Sequence, residues 1–297
     1  MRGVVVVEHW SVGHAGPRAP TTGFLPVPTP TSVLGAPDTV EFDRPSSARV
    51  YDYLLGGVAH GAVDRRFAET LLATEPGVRA VAQGNRAFLR RAVRFLLDAG
   101  IDQFIDLGSG VPTMGNVHEV VARSGTRASV AYVERDGVAA MSGRRLLADD
   151  PRTVYVEADI RDVDRVLSHP ELQRDVDLSR PVGLLAFSVL QQVPDADDPA
   201  GLVEDYLARL APGSALALSH LTADHPGVAM NALTALMCSY PRSAPRARSR
   251  AEVAPMLRGV RLVEPGLVYA AQWRPDPARN PAFVDPCGHL GAVGFLP

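Results

Sequence analysis

After Gly100 the chain alternates short apolar runs with stretches of helical pattern, and this rhythm constrains its fold more than any other feature. The runs QFIDL (103–107), SVAYV (129–133), TVYVEA (153–158), VGLLAFSV (182–189) and SALALSH (214–220) have the length and continuous apolarity of strands buried on both faces. Helical stretches separate them at about 115–124, 136–148, 161–168 and 199–210. Such repetition demands crossover connections, so the strands are predicted to run parallel with helices covering both faces. GLVYAAQW (266–273) and LGAVGFL (290–296) read as two further strands, the last antiparallel. Residues 101–297 are therefore expected to form a doubly wound, mostly parallel α/β domain.

The preceding residues, 43–100, read as a helical cap. PSSARVYDYLLGG offers a serine cap, apolar Val50, Tyr53 and Leu54, and a Gly-Gly stop. Two more helices are expected at 64–73 and 78–98. In the second, Val78, Val81, Phe88, Leu89, Ala92, Val93 and Leu96 share one side and arginines the other. Residues 1–42, rich in Pro, Gly, Thr and Ser, lack apolar periodicity and read as a flexible leader.

Composition narrows the class. A 297-residue chain that is 46% hydrophobic and 21% charged suits one globular domain with extensions. A net charge of -3 gives no general attraction to nucleic acid or to a membrane surface. No run approaches the roughly 18 apolar residues of a membrane span. Cys238 and Cys287 have no metal-ligand spacing, which argues against a disulfide framework and for the cytoplasm. The arginine-rich PRSAPRARSR (241–250) lacks interleaved aromatics and reads as a solvated loop.

The chemistry is concentrated at strand ends, where open parallel sheets bind ligands. Gly108 and Gly110 follow the first strand with Ser109 between them, permitting a tight turn and close approach of a ligand. A dinucleotide fingerprint would continue to a third glycine, but Val111, Pro112 and Thr113 follow instead, which weakens a nicotinamide-dependent oxidoreductase. Asp106 precedes the turn, Glu134 ends the second strand and Asp159 follows the third. A carboxylate after the second strand can accept both hydroxyls of a ribose, one after the third can accept an adenine amino group, and Asp106 can order the turn or meet a ligand's ammonium. Ribose, adenine and positive charge without pyrophosphate describe S-adenosylmethionine.

The segments SSARVYDYLLGG, NRAFLRRAVRFL, QFIDLGSGVPT, NVHEVV, DLSRPVGLL, VPDADDP and LSHLTAD, in this order, resemble the actinobacterial S-adenosylmethionine-dependent methyltransferase family formerly labelled DUF574. The resemblance implies the class I methyltransferase (Rossmann-like) fold, with a seven-stranded sheet and an antiparallel last strand, and it names no acceptor. Where that family usually continues Lys-Asp-Asn-aromatic after YLLGG, this chain has Val58, Ala59, His60 and Gly61. Where the family often has VLHF after the fourth strand, Leu190 is followed by Gln191 and Gln192. Both departures are expected at the mouth of the site and point to a different acceptor pocket.

The expected cofactor residues are Tyr53, Asp106, Gly108, Ser109, Gly110, Glu134, Arg135, Asp159, Ile160 and Ser188, with Tyr53 closing from the cap. His220 and His60 are the candidate catalytic bases, and Asn116 and Gln191 candidate acceptor contacts. Methyl transfer chiefly needs alignment, and a base only when the acceptor must lose a proton. The expected activity is methyl transfer from S-adenosylmethionine to a small molecule. A catalytically silent protein that only binds S-adenosylmethionine or S-adenosylhomocysteine is the alternative.

Overall fold

A computed structural model of the chain describes residues 44–224, 245–275 and 288–297. The expected leader, Cys238, Cys287 and Arg242 lie outside the described residues. Three helices come first: α1 (Ser47–Leu55), α2 (Ala62–Thr74) and α3 (Val78–Asp98). The alternating part follows as β1 (Gln103–Leu107), α4 (Val117–Ser124), β2 (Ser129–Glu134), α5 (Gly137–Leu146), β3 (Thr153–Glu157), α6 (Val163–Leu167), α7 (Pro170–Asp175), β4 (Gly183–Phe187), α8 (Pro199–Leu207) and β5 (Ala215–Leu221). A short α9 (Arg250–Val253), the two-residue strands β6 (Arg261–Leu262) and β7 (Val268–Tyr269), and β8 (His289–Phe295) complete the described elements.

The sheet runs β3-β2-β1-β4-β5-β8, with β6 and β7 both paired to β8. β1 to β5 are parallel, and β8 runs antiparallel to β5. One edge of β8 is taken by β5, so β6 and β7 share the other. Eight strands thus fill the seven lateral places implied by the family resemblance. The predicted strand over 266–273 shrinks to Val268–Tyr269, because the chain turns into a 3-10 helix at Ala270–Gln272. The connections from β1 and from β4 leave in opposite directions along the sheet. The switch point, where such sheets bind ligands, lies between these neighbouring strands.

Burial follows the sequence pattern. Leu107, Val133, Leu184, Leu216 and Val203 pack on one face of the sheet. Phe104, Tyr132, Leu185 and Trp273 pack on the other with Phe88, Ala92 and Leu96 of α3. Each fully buried side chain of this size contributes about 1.5–3 kcal/mol. A third cluster joins Val50 and Leu54 of α1, Phe67 and Leu71 of α2, and Ala82 of α3. One end of α3 therefore belongs to the helical layer and the other to the sheet, which fixes α1 and α2 above the strand ends. Gly56 stops α1 in a left-handed conformation (φ 84°), its N–H bonded to the Asp52 and Tyr53 carbonyls.

Candidate functional site

A cavity opens where β1 to β4 end beneath α1 and α3. Its floor is the turn after β1. Gly108 and Gly110 both have left-handed φ, 64° and 66°. A Cβ on Gly108 would lie 2.1 Å from Val189 Cγ2, whereas one on Gly110 would meet nothing closer than Ala48 Cβ at 3.9 Å. The turn's amides are already engaged: Gly108 and Ser109 donate to the Val133 carbonyl (2.8 and 3.1 Å) and Gly110 to Glu134 Oε2 (2.9 Å). Ser109 Oγ donates to the Tyr155 hydroxyl (2.9 Å), which donates to the Gly110 carbonyl. This turn lets a ligand approach closely but has no amide donors left to cradle a pyrophosphate.

Three carboxylates line the cavity. Asp106, at β1, is buried, faces the cavity, and accepts no hydrogen bond from the described residues. Burial pushes its pKa up to about 7, against the pull of the nearby Arg86 guanidinium and with the push of Glu134. Glu134 is also buried and raised by desolvation; Oε1 accepts from the Asp136 amide (2.9 Å) and Oε2 from Gly110, leaving each oxygen a lone pair. Asp159 differs. Arg161 grips it through Nε and Nη2 (3.0 and 2.6 Å) and through its backbone amide (3.0 Å), and Arg135 lies 3.8 Å away. Hydrogen bonding to Arg161 holds its pKa low. Ile160 lines the cavity beside it.

At the end of β4, Ser188 adopts a left-handed φ of 58°, rare for a non-glycine residue. Its amide bonds to the Ser219 carbonyl (3.0 Å) and to Ser219 Oγ (3.1 Å), which holds it there. Ser188 Oγ accepts from Gln191 Nε2 (2.9 Å) and lies 2.8 Å from His289 Nε2. Gln191 Oε1 accepts the Leu221 amide (3.1 Å), so this side chain braces the loop against β5.

The cavity roof contains residues missed in the sequence. Tyr51 donates to the Ala82 carbonyl (3.0 Å) and accepts from Asn85 Nδ2 (3.0 Å), while Asn85 Oδ1 accepts from Ser219 Oγ (2.6 Å). Arg86 is buried, donates to Asn116 Oδ1 (2.5 Å), and its Nε has no partner among the described residues. Tyr51, Asn85 and Arg86 sit on the apolar sides of α1 and α3; polar residues there were the available signal. His289, from β8, lacked even that.

Ten of the fourteen candidates lie at the cavity: Asp106, Gly108, Ser109, Gly110, Glu134, Arg135, Asp159, Ile160, Ser188 and Gln191. The other four lie elsewhere. Tyr53 turns away, its hydroxyl 3.4 Å from Glu69 and its ring edge-on to His60. His60 Nδ1 meets Asp52 Oδ2 (3.1 Å), which also takes the Ala59 amide (2.8 Å), so the loop after α1 wraps around a buried carboxylate. Asn116 caps α4 and holds Arg86. His220 lies on the opposite face of β5 from the cavity-lining Leu221: Nδ1 faces the Leu221 carbonyl (2.7 Å) and Nε2 faces Arg248 Nη1 (2.8 Å). Arg248 can only donate, so Nε2 accepts, and burial lowers the pKa to about 4. His220 is not among the residues lining the cavity and serves as a buried acceptor for Arg248. Nor is 241–250 wholly a solvated loop, because Arg248 is buried against the Leu190 and Val193 carbonyls (3.1 and 2.8 Å).

A parallel sheet with its switch point between β1 and β4 and an antiparallel last strand is a class I methyltransferase fold, here with buried acids of β1 and β2 facing its cavity. The profile of the S-adenosyl methyltransferase family matches residues 34–296. A putative methyltransferase from Thermobifida fusca YX is 37% identical, with 89% of this chain and 99% of that chain covered and a TM-score of 0.79. A DUF574 family protein from Streptomyces avermitilis MA-4680 is 34% identical, over 87% of this chain and 100% of that chain, with a TM-score of 0.81. No curated protein matches the chain. The chain belongs to the S-adenosyl methyltransferase family, and its cofactor is S-adenosylmethionine.

The cavity suits that cofactor. Asp106 offers an unbonded buried carboxylate to a cation, Glu134 keeps acceptor capacity for hydroxyls, and the turn makes no provision for phosphates.

Proposed function

We infer that the protein methylates a small-molecule acceptor inside the helix-roofed cavity, as a cytoplasmic enzyme. The observation that carries this reading is the contrast within one turn: its three amides are spent on Val133 and Glu134, while Asp106 and Glu134 still face the ligand. When bound, S-adenosylmethionine supplies a methyl group activated by a sulfonium leaving group. Glu134 would accept from the ribose hydroxyls, Asp106 would face the positive charge, and Ile160 would flank the adenine. Asp159 is a restricted partner for the adenine amino group because Arg161 already occupies it. Burial of Asp106, Glu134 and Ile160 excludes water and strengthens each polar contact there.

The acceptor would enter the part of the cavity roofed by α1 and α3. Its walls, including Leu54, Leu71 and Val81, make room for a small molecule. No described helix is long and apolar enough to cross a membrane. Incubating the protein with methyl-tritiated S-adenosylmethionine and fractionated bacterial extract tests the proposal. Label is expected in a low-molecular-weight fraction; label confined to protein or nucleic acid would contradict it.

A further inference from the structure

One cluster, built on Ser188, has no part in the cofactor contacts proposed above, although Ser188 was expected among the cofactor residues. Ser188 stands at the end of β4, next to the Gly108 turn: its neighbour Val189 fills the space above Gly108. The cavity also has an apolar stretch of wall, formed by Val50, Leu54, Leu71, Val81, Phe187 and Leu221, beside the polar roof residues Tyr51, Asn85 and Arg86. Ser188 lines this cavity, and its hydrogen bonds have a direction. The Leu221 amide fixes Gln191 Oε1 as an acceptor, so Gln191 Nε2 donates to Ser188 Oγ. The single Ser188 proton is then left to donate, and His289 Nε2 lies 2.8 Å away. His289 is buried and lines the same cavity. A left-handed serine, held by both the carbonyl and the hydroxyl of Ser219, presents its oxygen to the chamber with a proton acceptor behind it.

We propose that the acceptor is an uncharged, predominantly apolar molecule bearing an ionisable hydroxyl, and that Ser188 takes the hydroxyl proton and passes its own to His289. This rests on the methyltransferase reading of the site. Ser188 is the catalytic residue, and His289, acting through it, a positioning residue. As the acceptor oxygen forms its bond to the methyl carbon, the carbon–sulfur bond breaks and its electron pair stays on sulfur. The acceptor's proton moves to Ser188 Oγ, whose own proton moves to His289 Nε2, so charge balances as an imidazolium. A charged acceptor would meet the apolar wall of Val50, Leu54, Leu71, Val81 and Leu221, a penalty such a wall imposes on any ion.

The test uses 4-nitrophenol, yellow only when ionised, and its methyl ether 4-nitroanisole, with the full-length protein saturated with S-adenosylhomocysteine. Bound 4-nitrophenol is expected to be ionised to a greater extent than free 4-nitrophenol at the same pH, and 4-nitrobenzoate is expected not to compete with it. His289→Gln and Ser188→Gly should abolish the extra yellow form while leaving 4-nitroanisole affinity unchanged. Glycine relieves the left-handed strain at 188, so that variant retains the fold. Equal loss of both ligands in the variants, an unshifted spectrum, or equal binding of 4-nitrobenzoate would overturn the proposal while leaving the cofactor site standing. Failure of S-adenosylhomocysteine itself to bind would remove the underlying reading, and this proposal with it.

Discussion

At the scale of single residues, two buried carboxylates carry most of the account. Glu134 holds the Gly110 and Asp136 amides, so Glu134→Ala removes these bonds together with the proposed ribose acceptor. The variant should bind S-adenosylhomocysteine more weakly by about 1–3 kcal/mol, read by calorimetry; unchanged affinity in folded protein would exclude Glu134 from the site. Asp106 makes a claim about pH. Its pKa is about 7 when folded and near the model-compound value of 3.8 when unfolded, so the folded state holds a proton that the unfolded chain releases. The stability linked to that proton is complete below about pH 4 and is lost as pH rises through about 7. Asp106→Asn should therefore gain on the wild type, both without ligand, by up to about 1.4 kcal/mol per pH unit across that window in urea melts. A gap that does not change with pH would show the carboxyl is not raised. Residue type was legible where it sat at a strand end, as for Asp106, Glu134 and Gly108. It misled on α1, where Tyr53 suggested itself and Tyr51 lines the cavity. Two residues turn an α-helix by about 200°, so neighbours of equal chemistry face opposite ways. His220 failed for the corresponding reason in a strand, where successive side chains alternate faces.

At the scale of elements, the two glycines of the turn separate conformation from space. Both Gly108→Ala and Gly110→Ala place an L-residue in left-handed backbone, costing about 1–2 kcal/mol each. Only Gly108 adds a collision with Val189, worth a further ~1–3 kcal/mol. Denaturant melts should therefore rank Gly108→Ala clearly below Gly110→Ala; equal losses would mean that Val189 simply moves aside. The segment after β5 is fastened by Arg248, which reaches the Leu190 and Val193 carbonyls, Asp195 and His220. Arg248→Ala leaves the Leu190 and Val193 carbonyls and the buried His220 Nε2 unpaired and should cost at least ~3 kcal/mol in the same assay, whereas an exposed loop arginine would cost almost nothing. Elements with strong periodicity, α3 and the five parallel strands, were readable because burial on two faces writes long apolar runs. The two-residue β6 was not, and β7 was read only inside a longer expected strand, since pairs that short carry no period and exist only because β8 offers an edge. α7, beginning at Pro170, was also missed, its six residues too few for a helical repeat.

At the scale of the whole molecule, the site is assembled from distant parts of the chain: α1, α3, the ends of β1 to β4, and His289 of β8. The alternating middle of the sequence revealed the proposed cofactor half, because local strand–turn–helix order places those residues at the cavity. The acceptor half depends on how α1–α3 fold back over the sheet and on an antiparallel strand brought to Ser188 across 101 positions. Neither arrangement has a local signature. The central claim is that this composite cavity holds S-adenosylmethionine and not a dinucleotide. Calorimetric titration with S-adenosylmethionine, S-adenosylhomocysteine and NADH tests it most directly. Micromolar binding of both sulfur ligands, without heat from NADH, is the expected result. Silence from both sulfur ligands, or saturable binding of NADH, would contradict it.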